Sequence, residues 1–458
     1  MKISRIDATQ GSLVPSIFSY AIPLFLTTLL QSLFTAVDLA VLGNMADLFS
    51  VASVSATSSI TSLLVNTFVG LASGIKVILA RQIGARHREG IDHTVSMALI
   101  LPIAIGAVIA VVGSILAPQI LIWTSCPDDC MEGAVLYLRL YIIAAPAILL
   151  YNFGSSVLTA SGDTQRPLYY MAASGMLNVV LNVILCLILP QKVLAVAVAT
   201  VASQVLGAVL VIVRLIRMDG FCKVVISKIR WNTHAFVSVL RYGVPLMITN
   251  MLYPICNLQV QTGVNEIGVA AIAGNTAATT LESLVAGVNG SFSATTTAFM
   301  GQNIGAKKKD RVKKSFFYCI SIGAGLAFAM SMFFYLTGDF WLSFILTDNP
   351  AAYDFAYERM RCVLLIYFIG TINSCCGHAI QAFGYPLYGS LTSILCVFVF
   401  RMIYLNFIYP GIVAQIGPSF FHLMFCYTLS WGLLLLFSVG GFIYFYTRYC
   451  KGKYRRSI

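Results

Sequence analysis

Twelve stretches of about twenty or more mostly apolar residues follow one another along this chain, joined by short connectors. Nothing else in the sequence constrains the fold as strongly. A helix needs about 20 such residues to cross a ~30 Å hydrocarbon core. In the first half the stretches run over 15–42, 51–79, 94–117, 131–158, 167–189 and 193–217. In the second half they run over 236–262, 269–300, 312–337, 351–382, 386–409 and 420–447. None alternates polar and apolar residues as a transmembrane strand would, which excludes a β-barrel. Helices are the other way to satisfy every backbone group in lipid. Composition agrees, with 59% hydrophobic and only 10% charged residues, where a soluble domain carries about 25% charged. The chain is read as an all-α polytopic membrane protein with twelve transmembrane helices. The first stretch follows Lys2 and Arg5 as a signal peptide would, but it is too long and lacks a small-residue cleavage site, so it is read as the first span.

The net charge of +12 would suggest nucleic acid if it decorated a soluble face. Sorted by connector, 23 of the 29 Lys and Arg fall on one side of the membrane, while the opposite connectors hold only Lys192. The richest groups are 307–314, the region 214–241 between the halves, and the tail beyond Arg448. The outer connectors are acidic, with Asp47, Asp128, Asp129, Glu266, Asp339 and Asp348. This asymmetry places both termini in the cytoplasm, with the chain in the cell membrane and no nucleic acid as partner. The remaining five basic residues, Lys76, Arg139, Arg359, Arg361 and Arg401, fall inside spans.

The two halves resemble each other at an offset of 221 or 222 residues. "YAIP" ending at Pro23 matches "YGVP" ending at Pro245, and "RQIGAR" around Gly84 matches "GQNIGAK" around Gly305. Arg139 matches Arg361, and "ASG" at Gly162 matches "AFG" at Gly384. Six helices per repeat give both repeats the same orientation, hence two six-helix bundles, 1–221 and 222–458, related by a pseudo-twofold along the membrane normal. The second carries the basic cytoplasmic tail. Repeats of this kind with a site at their interface are a transporter's architecture.

"VDLAVLGN", "GLASGIKVILARQIGAR", "LTASGDTQRP" and "GQNIGAKKKDRVKK" occur in the order found in the multidrug and toxic compound extrusion (MATE) family, which the chain resembles over nearly its whole length. The resemblance implies a cation-coupled antiporter working by alternating access of the cleft between the bundles. It implies export of bulky, amphipathic or cationic compounds, driven by inward flow of sodium ions or protons, with no other cofactor. Membrane lipid would be its surroundings and a monomer its functional form. The lipid-linked sugar flippases of the same superfamily are the alternative. Such a flippase needs a cationic cleft for pyrophosphate, whereas most membrane-depth positives here lie near helix ends. No cluster of catalytic residues, nucleotide loop or zinc spacing is present, so the chain is read as no enzyme.

An ionisable group inside a span is a functional candidate by default, because burying it costs several kcal/mol unless it is paired. Two acids qualify. Asp38 lies about one turn from the outer end of the first span, with no counter-charge among its neighbours, and the family takes up its coupling cation at an acid here. Asn178 and Asn182 share one face of the fifth span, and with Thr200 they complete the implied cation site. Asp38, Asn182 and Thr200 all fall in the outer half of the membrane by residue count. Their oxygens suit sodium, and the carboxyl could equally carry a proton. Many sodium-site members carry Asp where this chain has Asn182, which leaves Asp38 the single carboxylate. No metal is implied beyond sodium at Asp38.

Glu282 lies near the middle of the eighth span, opposite Thr61 in the repeat. Arg401 and His378 belong to the same bundle. Glu282 is read either as the partner of Arg401 in a structural ion pair, or as part of a second charged site with Arg401 and His378. The repeat mate of Arg401, after a short gap, is Asn182. The seventh span offers Tyr253 and Gln259 and no acid before its outer end. Pro23 matches a family proline at a helix bend, and a mid-helix proline frees a carbonyl and permits a kink. Cys126 and Cys130 flank an outer-loop "CPDDC" and could either form a disulfide or stay free thiols, the free form being the one favoured.

Overall fold

The computed structural model describes residues 6–45, 48–124, 126–346 and 350–452. Lys2, Arg5, Asp47, Asp348 and the tail from Lys453 lie outside the described residues. No strand occurs among those described. Helices α1 (Leu13–Met45), α2 (Leu48–Gly84), α3 (Arg88–Trp123), α4 (Asp128–Ile143), α5 (Ala145–Ala160), α6 (Gln165–Ile188) and α7 (Lys192–Arg217) cover the first half. The second half holds α8 (Thr233–Ile267), α9 (Val269–Gly305), α10 (Lys309–Leu336), α11 (Gly338–Ser343) and α12 (Pro350–Arg359). It continues with α13 (Tyr367–Ala382), α14 (Pro386–Ser393), α15 (Phe400–Ile403), α16 (Tyr409–Ile416) and α17 (Phe420–Cys450). Among the described residues ten helices are long and apolar enough to cross a membrane, counting 350–382 and 386–416 as one each. The bent pair α4 and α5 makes an eleventh span. Helix α9 is long enough at 37 residues, but its Thr, Ser, Asn and Gly lower its apolarity. Most of those polar side chains are buried. The twelve-span, all-α architecture is the one expected.

Three spans differ in detail from uniform helices. The fourth bends by 45° between α4 and α5, because Pro146 in the first turn of α5 has no N–H to continue the ladder. The tenth contains a π-helical turn at Met360–Leu364. The eleventh contains two, Ile394–Val399 and Tyr404–Ile408, on either side of α15. The second of these lets the helix run past Pro410 to Ile416, beyond the expected end at 409, because the proline falls in the first turn of α16.

The chain divides into two compact units by contact. One gathers Ile22–Met247 together with Asp7, the other Ala8–Ala21 together with the chain from Ile248 on. The boundary at 221/222 divides the sequence into repeats, whereas the contact units change hands inside α1, beside Pro23, and inside α8, just after Pro245. In the first unit Gly70 and Gly74 of α2 meet the α8 backbone so closely that a Cβ would sit 2.7 Å from Met247 Cα and 2.6 Å from Gly243 N. Small residues spaced this way let membrane helices approach backbone to backbone, which accounts for the glycines of "GLASG". In the second unit Arg311 donates Nη1 to Gly11 O at 2.9 Å and Nη2 to Gln10 O at 2.8 Å. Asn303 Nδ2 reaches Ala8 O at 3.0 Å. The "GQNIGAKKKDR" motif thus holds the segment that leads into α1.

The repeat persists at the level of single turns. Arg86 and Lys307, matched in the two halves, both adopt positive φ, 53° and 57°. The amides around them close the ends of α2 and α9 alike, Arg86 and His87 onto Ile83 O and Gln82 O, Lys307 and Lys308 onto Ile304 O and Asn303 O. Gly162 and Gly384 likewise share positive φ, 88° and 100°. Arg139 donates to Ser114 O of α3 at 3.1 Å, and Arg361 to Tyr335 of α10 at 2.9 Å, so each arginine ties its span to the one before it.

Gly162 is held twice over, by its φ and by the chain start, since a Cβ there would meet Ile6 O at 2.1 Å. Gly162→Ala should therefore lower stability by about 1–3 kcal/mol. Gly290→Ala, mid-helix with nothing within 4 Å, should be neutral or slightly stabilising. Thermal melting of the two detergent-purified variants tests this, and equal melting points would contradict it.

Candidate functional site

The first unit holds a half-open chamber of about 610 Å³ lined from α1, α2, α4, α5, α6 and α7, with Asp38, Asn178, Thr200, Tyr137, Tyr141 and Gln204 among its lining residues. Helix α1 presents the carboxylate half-buried, while Asn178 and Asn182 are 5% and 0% exposed. Asn182 Nδ2 donates to Asp38 Oδ1 at 2.8 Å and lies 3.2 Å from Asn178 Oδ1. Turning the Asn178 amide places its nitrogen 2.6 Å from Asp38 Oδ1 and 3.1 Å from Oδ2, so that it too donates to the carboxylate. Among the described residues no cationic side chain lies within ion-pair distance of Asp38.

The spacing that put Asn178 and Asn182 on one face brings both to the carboxylate. Thr200 lines the same chamber beside Tyr137, which is close enough to Asp38 to feel its charge. Tyr137 and Tyr141, stacked at 6.3 Å, were invisible among 22 tyrosines, although their four-residue spacing on α4 was there to read. The serines and threonines of α2, Thr57 and Thr61 among them, supply a hydroxyl wall.

The set offers one carboxylate, two amides and a hydroxyl. Amide donors stabilise the ionised carboxylate, and uptake of a proton would release them. A sodium ion would need amide oxygens turned inward instead. Asn182 Oδ1 is available for that, being buried with no hydrogen-bond partner. The donors present therefore fit either coupling ion.

In the second unit the expected pairing is corrected. Glu282 pairs with Arg359, not with Arg401 or His378. Arg359 Nε and Nη2 reach Glu282 Oε1 and Oε2 at 2.7 and 2.8 Å. Its Nη1 donates to Asn275 Oδ1 at 2.7 Å, and Asn275 in turn donates to Gln261 at 2.9 Å. Arg401 instead donates Nε to Ser430 at 2.9 Å and lies over the Tyr427 ring at 4.0 Å. His378 shares a hydrogen bond of 2.8 Å with Thr297. Arg359 carried no sequence signal beyond being a basic residue inside a span. Cys126 and Cys130 are free thiols.

Fold and site define the class as a duplicated, all-helical polytopic membrane protein with a lone half-buried carboxylate facing an internal chamber. The MatE family model matches residues 23–184 and 245–408, one match to each repeat, and the chain belongs to this family. It is similar to the probable multidrug resistance protein YoeA of Bacillus subtilis, 26% identical over 400 residues, covering 85% of this chain and 86% of that protein. It is also similar to the FAD transporter of Shewanella oneidensis, 24% identical over 276 residues, 58% of this chain and 60% of that protein. In fold it matches a crystal structure of MATE in complex with MaL6 at a TM-score of 0.86 and 20% identity, over 97% of this chain and 98% of that one.

A bidentate ion pair buried in a membrane unit is most costly when halved. Glu282→Gln and Arg359→Met should each destabilise by about 3–5 kcal/mol, because each strands the other charge. The double variant should recover most of that loss. Melting of the three proteins forms a double-mutant cycle, and additive losses would show that the pair is not coupled.

Proposed function

We propose that this protein is a cation-coupled multidrug exporter of the cell membrane, working by alternating access, with both termini in the cytoplasm and the single chain as the functional unit. The carrying observation is the Asp38 cluster, in which one carboxylate, held only by amide donors, faces a chamber large enough for a drug-sized compound. A proton or sodium ion taken up at Asp38 would release Asn178 and Asn182 and rearrange the wall that Tyr137 and Thr200 complete. Ion uptake and substrate occupancy at one chamber would then compete, which is the linkage an antiporter needs. Pro23, which lies inside α1, would be the place where a bend carries that rearrangement to the rest of the helix. Names of relatives support export of small compounds, and the FAD transporter adds anionic ring compounds to the cationic amphiphiles worth testing.

The test is efflux of a cationic dye from proteoliposomes under a sodium gradient and, separately, a pH gradient. One of the two should drive efflux, and Asp38→Asn should cut the driven rate at least about tenfold, in line with loss of a charge-assisted interaction. Wild-type transport by Asp38→Asn under both gradients would end the coupling role. If neither gradient moved dye while lipid-linked sugar crossed the bilayer, the flippase reading would replace this one.

A further inference from the structure

The connector between α7 and α8 is folded onto the first unit. After α7 the chain turns back, and Val224 N donates to Leu215 O at 2.9 Å. Met218, Cys222 and Val224 are buried in the core of that unit. Phe221, Val225 and Ile226 point away from that core, yet they are apolar and exposed, Ile226 at 67%. Trp231, just before α8, is exposed as well. A chain that leaves one membrane helix and enters the next runs along the interface. Exposed apolar residues and a tryptophan there meet acyl chains and headgroups rather than bulk water.

Beside these residues the first unit holds a pocket of about 90 Å³ between the connector and α3. Its α3 wall is one helix face that carries Arg88, Asp92 and Ser96. The connector adds Lys223 and Lys228. Since about 10–15 Å³ admits one water, the pocket has room for a phosphate group. All three cations are exposed, and among the described residues none is ion-paired, either to Asp92 or elsewhere. Asp92 is the one acid on the wall, so positive charge is in excess. Lys228 closes the 3₁₀ turn Ile226–Lys228. A cation of the pocket and an exposed apolar side chain therefore belong to a single turn.

We propose that this pocket binds an anionic phospholipid. Arg88, Lys223 and Lys228 hold its phosphate, and its acyl chains lie along Phe221, Val225 and Ile226. Guanidinium and ammonium groups suit a phosphate, and basic pockets at the ends of membrane helices are where such headgroups bind. A soluble phosphate would use the cations and leave the apolar residues uncovered, so the occupant is a lipid. On the proposed topology it belongs to the cytoplasmic leaflet. Its binding fastens the connector between the repeats to α3.

The test uses purified full-length protein in a neutral detergent, titrated with chain-labelled fluorescent phosphatidylglycerol and phosphatidylcholine of matched length. Phosphatidylglycerol should bind wild type about tenfold more tightly, the effect of an excess of basic side chains at one headgroup. Arg88→Gln, Lys223→Gln and Lys228→Gln together should bring the ratio to about one, and Asp92→Asn should raise it. A charge-matched control in the second unit, Lys307→Gln with Lys313→Gln and Lys314→Gln, should leave it unchanged. Equal binding of the two lipids by wild type overturns the proposal. So does a preference that survives the pocket variant, or one that falls as far in the control. Displacement of phosphatidylglycerol by glycerol phosphate at comparable concentration would make the occupant a free phosphate and would also overturn it. Should the triple pocket variant fail to fold, Lys223→Gln with Lys228→Gln, both on the exposed connector, decides, and an unchanged ratio overturns the proposal.

Discussion

A charge inside a lipid-spanning helix has no water to fall back on, and the internal layout of both units follows from how each such charge is satisfied. The pair Glu282–Arg359 is closed by two short contacts and extended through Asn275 to Gln261. It locks α9 to α12 and leaves nothing over. Asp38 is satisfied only by neutral amides, so a cation can still be drawn to it. Arg401 is held by the Ser430 hydroxyl and the Tyr427 ring face, with Cys256 beside it. The paired charges are scaffold, and the carboxylate left with amide donors alone is the one on which the proposed coupling rests.

Duplication explains why these choices sit where they do. The repeats keep one backbone, down to the positive φ of Arg86 and Lys307 and of Gly162 and Gly384, because turn geometry and close helix contacts tolerate little change. The side chains facing inward have diverged. Thr61 lines the chamber of the first unit, where its mate Glu282 anchors an ion pair in the second. Asn182 donates to a carboxylate, where its mate Arg401 carries a full positive charge. One scaffold thus presents an acidic interior and a basic one.

Much of this was legible in the sequence, for physical reasons that can be named. Spans were readable because lipid leaves few ways to bury a backbone, and the repeat because glycine turns and their flanking residues are conserved between the halves. Asn178 and Asn182 were readable because four-residue spacing fixes a shared helix face. The partner of Glu282 was not, since spacing within one helix says nothing about which neighbouring helix turns an arginine toward it. Arg401 was the partner expected within the bundle, and Arg359 takes the carboxylate because α12 packs against α9. Tyr137 was lost among many tyrosines because a chamber wall has no composition of its own. The break at Pro146 and the run past Pro410 turned on local backbone donors, which hydropathy does not register.

The central claim is that Asp38 exchanges its coupling ion for substrate. The most direct check is calorimetric titration of a cationic substrate into purified protein in buffers of differing ionisation enthalpy, with and without sodium. Wild type should release a proton, or show affinity that falls as sodium rises, and Asp38→Asn should bind substrate with neither effect. Proton release or sodium competition undiminished in Asp38→Asn would contradict the account.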